Sequence, residues 1–187
     1  MSDTQLPLYI VFDQPAEGKP AQYAGAVHAP DPEMALLNAR DVFARRDDHV
    51  YLWVVRDSAI YAKTAEELTE SANQPASPLT EQPTPSSTPF LVFQKTVHKG
   101  TLVQVGEVNA DDPVEAMTQA TAAYPNPKAI VWWVLPASAI YRTDPAENDT
   151  LFGPAHEKHY RHSSFYPTVT LMREINLANE KLDWKDE

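Results

Sequence analysis

The chain has 187 residues, a formal net charge of −11 at pH 7 and no cysteine. The acidic excess disfavours binding to nucleic acid phosphates and anionic lipid, and the lack of cysteine excludes disulfides, thiolate metal sites and cysteine nucleophiles. The N-terminus shows no basic and apolar export signal, and no apolar run reaches the roughly 20 residues of a membrane span. We expect a cytoplasmic protein whose partners are proteins or small molecules.

The first predicted elements form a hairpin followed by a helix. Residues 8–12 are apolar and β-branched or aromatic, which predicts a strand buried on both faces, and residues 23–29 form the returning strand. Asp31 is a suitable N-cap and Pro32 suits the first helical position, so we expect a helix over residues 32–46. A third strand is predicted over residues 49–56, followed by a short extra element at residues 58–61.

A proline-rich segment follows the first unit. Residues 64–89 begin with several glutamates and continue with prolines at positions 75, 78, 83, 85 and 89. Because dense proline blocks helices and strand pairing, this range is predicted to be a linker.

The chain then repeats the same plan. Strands are expected at residues 90–94, 103–110 and 129–135, with a helix at 113–123 that begins at Asp112-Pro113. A region rich in histidine and aromatic residues follows at 151–166, and residues 171–184 have the spacing of a weak amphipathic helix.

An internal repeat sets the architecture. The nine residues Trp53-Val54-Val55-Arg56-Asp57-Ser58-Ala59-Ile60-Tyr61 are matched at six positions by the segment 80 residues later, which starts at Trp133. The sequence predicts an α+β fold: two repeats of β-hairpin, helix and strand, packed as an intramolecular pseudo-dimer. We place the first repeat at 1–63, the linker at 64–89, and the second repeat with the C-terminal helix at 90–187.

No residue pattern predicts catalysis, a cofactor or a metal ion. His156, His159 and His162 could converge on a metal if their segment were helical, but a polar surface or interface role is favoured, since no Glu-x-x-His motif supports them. Ser58 and Ser138 lie in the repeated segment without a nucleophile elbow, so a structural role is favoured. The strand tryptophans are interpreted as core residues.

Several strings of residues resemble the phenylacetic acid degradation B (PaaB) proteins. The first repeat carries Pro7-Leu8-Tyr9, Asn38-Ala39-Arg40-Asp41 and Arg45-Arg46, and the closing region carries Pro154-Ala155, Tyr160-Arg161-His162 and Phe165-Tyr166. Ordinary members resemble one unit plus the closing region, so this chain is similar to a fused, diverged pair.

The resemblance implies a non-catalytic bridging subunit of a multicomponent phenylacetyl-CoA epoxidase, or of a related oxygenase for aromatic acyl-CoA thioesters. Its implied partners are a di-iron catalytic oxygenase subunit and a helical companion subunit. Since arginine and aromatic residues dominate interface hot spots, we expect partner contacts at Arg40, Arg45, Arg46, His159, Tyr160, Arg161, His162, Phe165 and Tyr166.

A second interpretation stays open: a stand-alone module that binds a small molecule or a protein without a catalytic partner. A deep apolar cavity between the repeats would favour the binding module. A well-filled interface with a large exposed patch elsewhere would favour the bridging subunit.

Overall fold

A computed structural model describes residues 5–44, 51–72, 87–147, 150–153 and 168–183. The chain divides into one compact unit over residues 1–152 and a second over residues 153–187. The first repeat forms β1 (Leu8–Gln14), β2 (Gln22–His28), α1 (Pro32–Phe43), β3 (Tyr51–Arg56), β4 (Tyr61–Thr64) and α2 (Ala65–Ala72). The second repeat forms β5 (Thr88–Lys95), β6 (Val103–Ala110), α3 (Pro113–Ala123), β7 (Val131–Pro136) and β8 (Ile140–Arg142).

The two repeats share the register of their hairpins. In the β1–β2 pair the register shifts between Val11 and Phe12, and in the β5–β6 pair it shifts between Val92 and Phe93. The second shift lies 81 positions after the first, which is the spacing of the sequence repeat at this point. The equivalence of side chains in the two halves can therefore be assigned residue by residue.

Both long helices of the repeats begin as their sequences predict. Asp31 accepts a hydrogen bond from the Met34 backbone N–H at 2.8 Å, and Asp112 accepts from Val114 and Glu115 at 2.7 and 2.8 Å. Helix α3 has the predicted bounds. Helix α1 ends at Phe43, before the predicted end at residue 46, because Ala44 leaves the helical region with φ −91° and ψ 44°.

The strands of both repeats form one eight-stranded sheet in the order β4-β7-β5-β6-β2-β1-β3-β8. Strand β4 of the first repeat pairs with β7 of the second, and β8 of the second repeat pairs with β3 of the first. The repeats also meet at β2 and β6, where Tyr23 N–H donates to Leu102 O and Gln104 N–H donates to Ala21 O, both at 2.9 Å. The predicted short extra element is thus partly a strand, and it belongs to the other repeat's part of the sheet.

This strand exchange forces the sheet to curl. Strands β3 and β4 lie six positions apart in the sheet, about 29 Å if the sheet were flat. The chain from Arg56 to Tyr61 can span at most about 18 Å. The two halves of the sheet therefore face each other, with the helices outside.

Three clusters of buried side chains follow from this arrangement. On β1, Tyr9 and Val11 face α1, whereas Ile10 and Phe12 face the space between the repeats. The predicted burial of this strand on both faces is confirmed. A third cluster lies under α3. Phe152, which follows the second repeat, is buried in the cluster under α1, so the chain returns to the first repeat.

A glycine in each repeat allows an aromatic side chain from the end of the helix to rest on the sheet. A Cβ atom at Gly25 would overlap the ring of Phe43, and one at Gly106 would overlap the phenol of Tyr124. Tyr124 is also fixed by hydrogen bonds between its hydroxyl and the Glu107 backbone, at 3.2 Å from N and 3.0 Å to O.

The predicted linker starts later than expected, because its first residues form helix α2 (Ala65–Ala72). Thr64 and Glu67 make a capping box: Thr64 N–H donates to Glu67 Oε2 at 2.7 Å, and Glu67 N–H donates to Thr64 Oγ1 at 3.3 Å. The backbone and hydroxyl hydrogen bonds from Thr64 hold the pKa of Glu67 below its usual value. This cap is in place at neutral pH and weakens as the pH falls through that lowered pKa. Residues 73–86 lie outside the described residues.

The unit over residues 153–187 contains helix α4 (Thr168–Asp183), which confirms the helix predicted near residues 171–184. No helix in the described ranges is long and apolar enough to span a membrane.

The glycine contacts predict a stability effect. Replacing Gly106 by alanine should lower the free energy of unfolding by about 1–3 kcal/mol, since the added methyl overlaps Tyr124. Gly25→Ala should lower the free energy of unfolding by a similar amount, and adding Phe43→Leu should restore part of it. The control is Gly153→Ala, which has open space around it and should change the free energy of unfolding by less than about 0.5 kcal/mol. Urea unfolding measures all four variants; a neutral Gly106→Ala would contradict the contact.

The strand exchange predicts a second effect, at Thr143. This buried residue extends the β3–β8 pairing: Leu52 N–H donates to Thr143 Oγ1 at 3.1 Å and Thr143 N–H donates to Leu52 O at 3.0 Å. Thr143→Val leaves the Leu52 N–H without an acceptor and should cost about 1–3 kcal/mol of unfolding free energy. Thr143→Ser keeps the hydroxyl and should retain most of the stability; equal losses in the two variants would show that the hydrogen bond is unimportant.

Candidate functional site

The serines of the repeated segment occupy equivalent structural positions. Ser58 and Ser138 are exposed in short 3-10 turns, Asp57–Ala59 and Ala137–Ala139, which carry the chain from β3 to β4 and from β7 to β8. Each turn leads into an edge strand that pairs with the other repeat. The duplicated segment therefore has the structural role that its sequence favours.

The acidic and histidine clusters do not assemble a site in the part of the chain that the structure describes. No group of three or more histidine, aspartate or glutamate residues there could hold a metal ion. Asp112 is used as the cap of α3. The histidines considered for a metal, His156, His159 and His162, lie outside the described residues.

Of the nine residues expected at a partner interface, the structure describes one, Arg40. The other eight lie outside the described residues: Arg45, Arg46, His159, Tyr160, Arg161, His162, Phe165 and Tyr166. Arg40 lies near the end of α1, and its Nε and Nη2 donate to Asp41 Oδ1 at 3.0 and 2.9 Å. An ion pair between neighbours on an exposed helix stabilises little.

The two outer helices present different chemistry at equivalent positions. Arg40 and Asp41 of α1 correspond to Thr121 and Ala122 of α3, 81 positions later. Helix α1 therefore carries a charged pair where α3 carries small, uncharged side chains. The surfaces of the two helices therefore differ.

The space between the repeats is filled at its centre. Phe12 and Phe93 are fully buried there, with ring centroids 4.4 Å apart, and Leu135 is buried beside them. The centre of the interface between the repeats is therefore well filled.

A cavity of about 740 Å³ does open at one edge of this core. It is lined from both repeats, by Trp53 and Gln14 of the first and by Gln104, Ile140 and Arg142 of the second, among others. Trp53 is 7% exposed, and its Nε1 is buried without a hydrogen-bond partner in the described ranges. An unsatisfied buried N–H costs about 1–3 kcal/mol, so this position departs from the rule that buried polar groups are paired.

Sequence reasoning identified Trp53 as a core residue but missed this cavity. The available signal was the comparison of the repeats, since Tyr23 and Ala62 of the first repeat are replaced by Gln104 and Arg142 of the second. The first replacement exchanges an aromatic ring for a smaller amide, and the second exchanges a methyl group for a long cationic side chain.

Comparison with known proteins agrees with the repeat structure. The family model for phenylacetic acid degradation B matches the chain in two segments, residues 5–78 and 88–173. The B component of the 1,2-phenylacetyl-CoA epoxidase of Escherichia coli (strain K12) is 39% identical over 84 residues, which are 45% of this chain and 88% of that component. No solved structure matches the chain significantly. With both repeats matched over most of their length, the chain belongs to the phenylacetic acid degradation B family.

Proposed function

We propose that this chain is a non-catalytic bridging subunit of a multicomponent phenylacetyl-CoA epoxidase, or of a related oxygenase acting on another aromatic acyl-CoA. It acts in the cytoplasm, beside a di-iron catalytic oxygenase subunit and a helical companion subunit. Its two repeats take the places of two copies of a single-repeat subunit, so the fold is an intramolecular pseudo-dimer.

The observation that carries the proposal is the agreement between the family match and the fold. Each of the two matched segments contains one hairpin, one outer helix and the strands that follow, and the related epoxidase component is about one repeat long. Each repeat supplies an edge strand to the other, through the β4–β7 and β3–β8 pairs. Two copies of one subunit make the same kind of reciprocal pairing when they exchange an identical element and form a closed symmetric dimer.

The bridging role is supported by the position of the two outer helices. They cover the outer faces of the two halves of the sheet, and the halves face each other. The helix surfaces are therefore on opposite sides of one rigid core. A partner held on each side would be kept at a fixed distance by a chain whose interior, around Phe12 and Phe93, is well filled.

Complex formation tests the proposal directly. We expect the full chain, co-expressed with a di-iron oxygenase subunit and its helical companion, to co-purify with them. Native mass spectrometry should show one chain with two catalytic heterodimers, and a complex with a single heterodimer would contradict bridging. No complex at micromolar concentrations would contradict the bridging function.

The candidate interface residues are tested within that complex. Arg161→Ala combined with Tyr166→Ala should weaken partner binding by roughly thirtyfold or more, since truncating even one hot-spot side chain costs about 2 kcal/mol or more. Surface plasmon resonance with the immobilised catalytic pair measures the change. Unchanged binding would exclude the closing segment from the interface.

Helix α1 is tested by copying the residue from the second repeat. Arg40→Thr should weaken binding by roughly tenfold, because a charge-assisted hydrogen bond to the partner is lost. The matched control is Thr121→Ala at the equivalent position of α3, which should bind like the unmodified chain. If both variants bind equally well, Arg40 is not part of the interface.

A further inference from the structure

The cavity lined by Trp53 has an equivalent at the other edge of the core. Trp53 pairs with Arg142 in the β3–β8 ladder, and Trp133 pairs with Ala62 in the β7–β4 ladder. The second cavity, of about 410 Å³, is lined by Trp133 and by Tyr23, which is the counterpart of Gln104. The two sites are thus related by the repeat but carry different side chains.

The smaller site is occupied by a side chain of the protein itself. The ring of Tyr23 lies edge-on to Trp133, with centroids 5.8 Å apart, and edge-on to Phe12 at 6.4 Å. In the larger site Gln104 replaces this ring. A glutamine fills less volume than a tyrosine, so the larger site has no ring packed against its tryptophan in the place that Tyr23 takes beside Trp133.

The larger site is rich in hydrogen-bond donors. Gln104 Oε1 accepts from the Ala21 backbone N–H at 3.3 Å, which leaves the Gln104 NH₂ group as a donor. Arg142 and Lys19 add two cations that form no ion pair within the described ranges, against one carboxylate, Glu107. Trp53 also lines the cavity, but its indole N–H is buried and is not counted among these donors.

Part of the lining is apolar. Leu91, Val105 and Ile140 line the cavity together with Trp53, so it combines apolar side chains with the cations Arg142 and Lys19. Its volume of about 740 Å³ falls within the range of about 300–1,000 Å³ found for small-molecule sites. Arginine and amide donors above an apolar wall suit a molecule with an apolar body and one carboxylate.

We propose that the cavity lined by Trp53, Gln104 and Arg142 binds a small organic carboxylate, at one site per chain. The carboxylate lies at Arg142 and the Gln104 amide, and the apolar body lies against Leu91 and Ile140, beside Trp53. This binding activity goes beyond the bridging function and does not depend on it, because the site is built entirely within the chain.

The test uses the purified full chain without partners. The chain has four tryptophans, so its proton–nitrogen NMR spectrum should show few indole signals, and Trp53→Phe identifies the signal of Trp53. Titration with benzoate should shift this signal saturably, with millimolar or tighter affinity. Benzyl alcohol, which lacks the carboxylate, should bind roughly tenfold more weakly or not at all.

Two variants give the larger site the residue types found at the equivalent positions of the smaller site, Tyr23 and Ala62. Gln104→Tyr should place a ring beside Trp53, as Tyr23 lies beside Trp133, and so strongly weaken the benzoate response. Arg142→Ala should weaken benzoate binding by roughly tenfold, because a charge-assisted hydrogen bond is lost. Tyr23→Gln, the matched change in the smaller site, should leave the Trp53 response to benzoate intact. Retained backbone spectra confirm that each variant is folded.

Two outcomes would overturn the proposal. One is the absence of a saturable shift at the Trp53 indole up to roughly 20 mM benzoate, which is weaker than any specific site should be. The other is an equal benzoate response in folded Gln104→Tyr and in the unmodified chain. Neither outcome bears on complex formation with an oxygenase, which is measured separately.

Discussion

The reciprocal exchange of edge strands is the constraint on which the rest of the structure depends. Each half of the sheet is completed by a strand that the other repeat supplies, β4 on one side and β8 on the other. A repeat of about 80 residues buries little apolar surface by itself. The exchange gives the two repeats a shared interior, centred on Phe12 and Phe93, and places the helices on the outside. Neither half has a complete sheet without the other.

Local patterns predicted much of this fold, because the signals that define single elements lie close together in the sequence. The Asp-Pro starts of α1 and α3 and the apolar run of β1 are of this kind, and the structure confirms them. The exchange of edge strands between the repeats could not be predicted from such local patterns. Strand β4 has four residues, and nothing within Tyr61–Thr64 specifies that its partner lies on β7 rather than in its own repeat.

The sequence analysis did not predict helix α2 or the cavity beside Trp53. The proline content of residues 75–89 obscured α2, although Thr64 and Glu67 have the spacing of a capping box. The cavity was missed because burial of Trp53 follows from its strand, whereas the space beside it depends on Gln104, which is more than 50 positions away. The offset of 81 between the repeats aligns Gln104 with Tyr23, and the matching registers of the two hairpins confirm this equivalence. Of the expected partner interface, Arg40 is the part that the structure describes.

The exchange of strands also has a consequence for how the chain folds. The pairings that complete the sheet join residues about 80 positions apart, so loop closure must precede them and folding should be slow for a chain of this size. Strand β4 of one molecule fits β7 of another as well as it fits its own, and only the effective concentration set by the connecting segment favours pairing within the chain. Refolding at high protein concentration therefore favours oligomers that exchange strands between molecules, and refolding at low concentration favours the monomer.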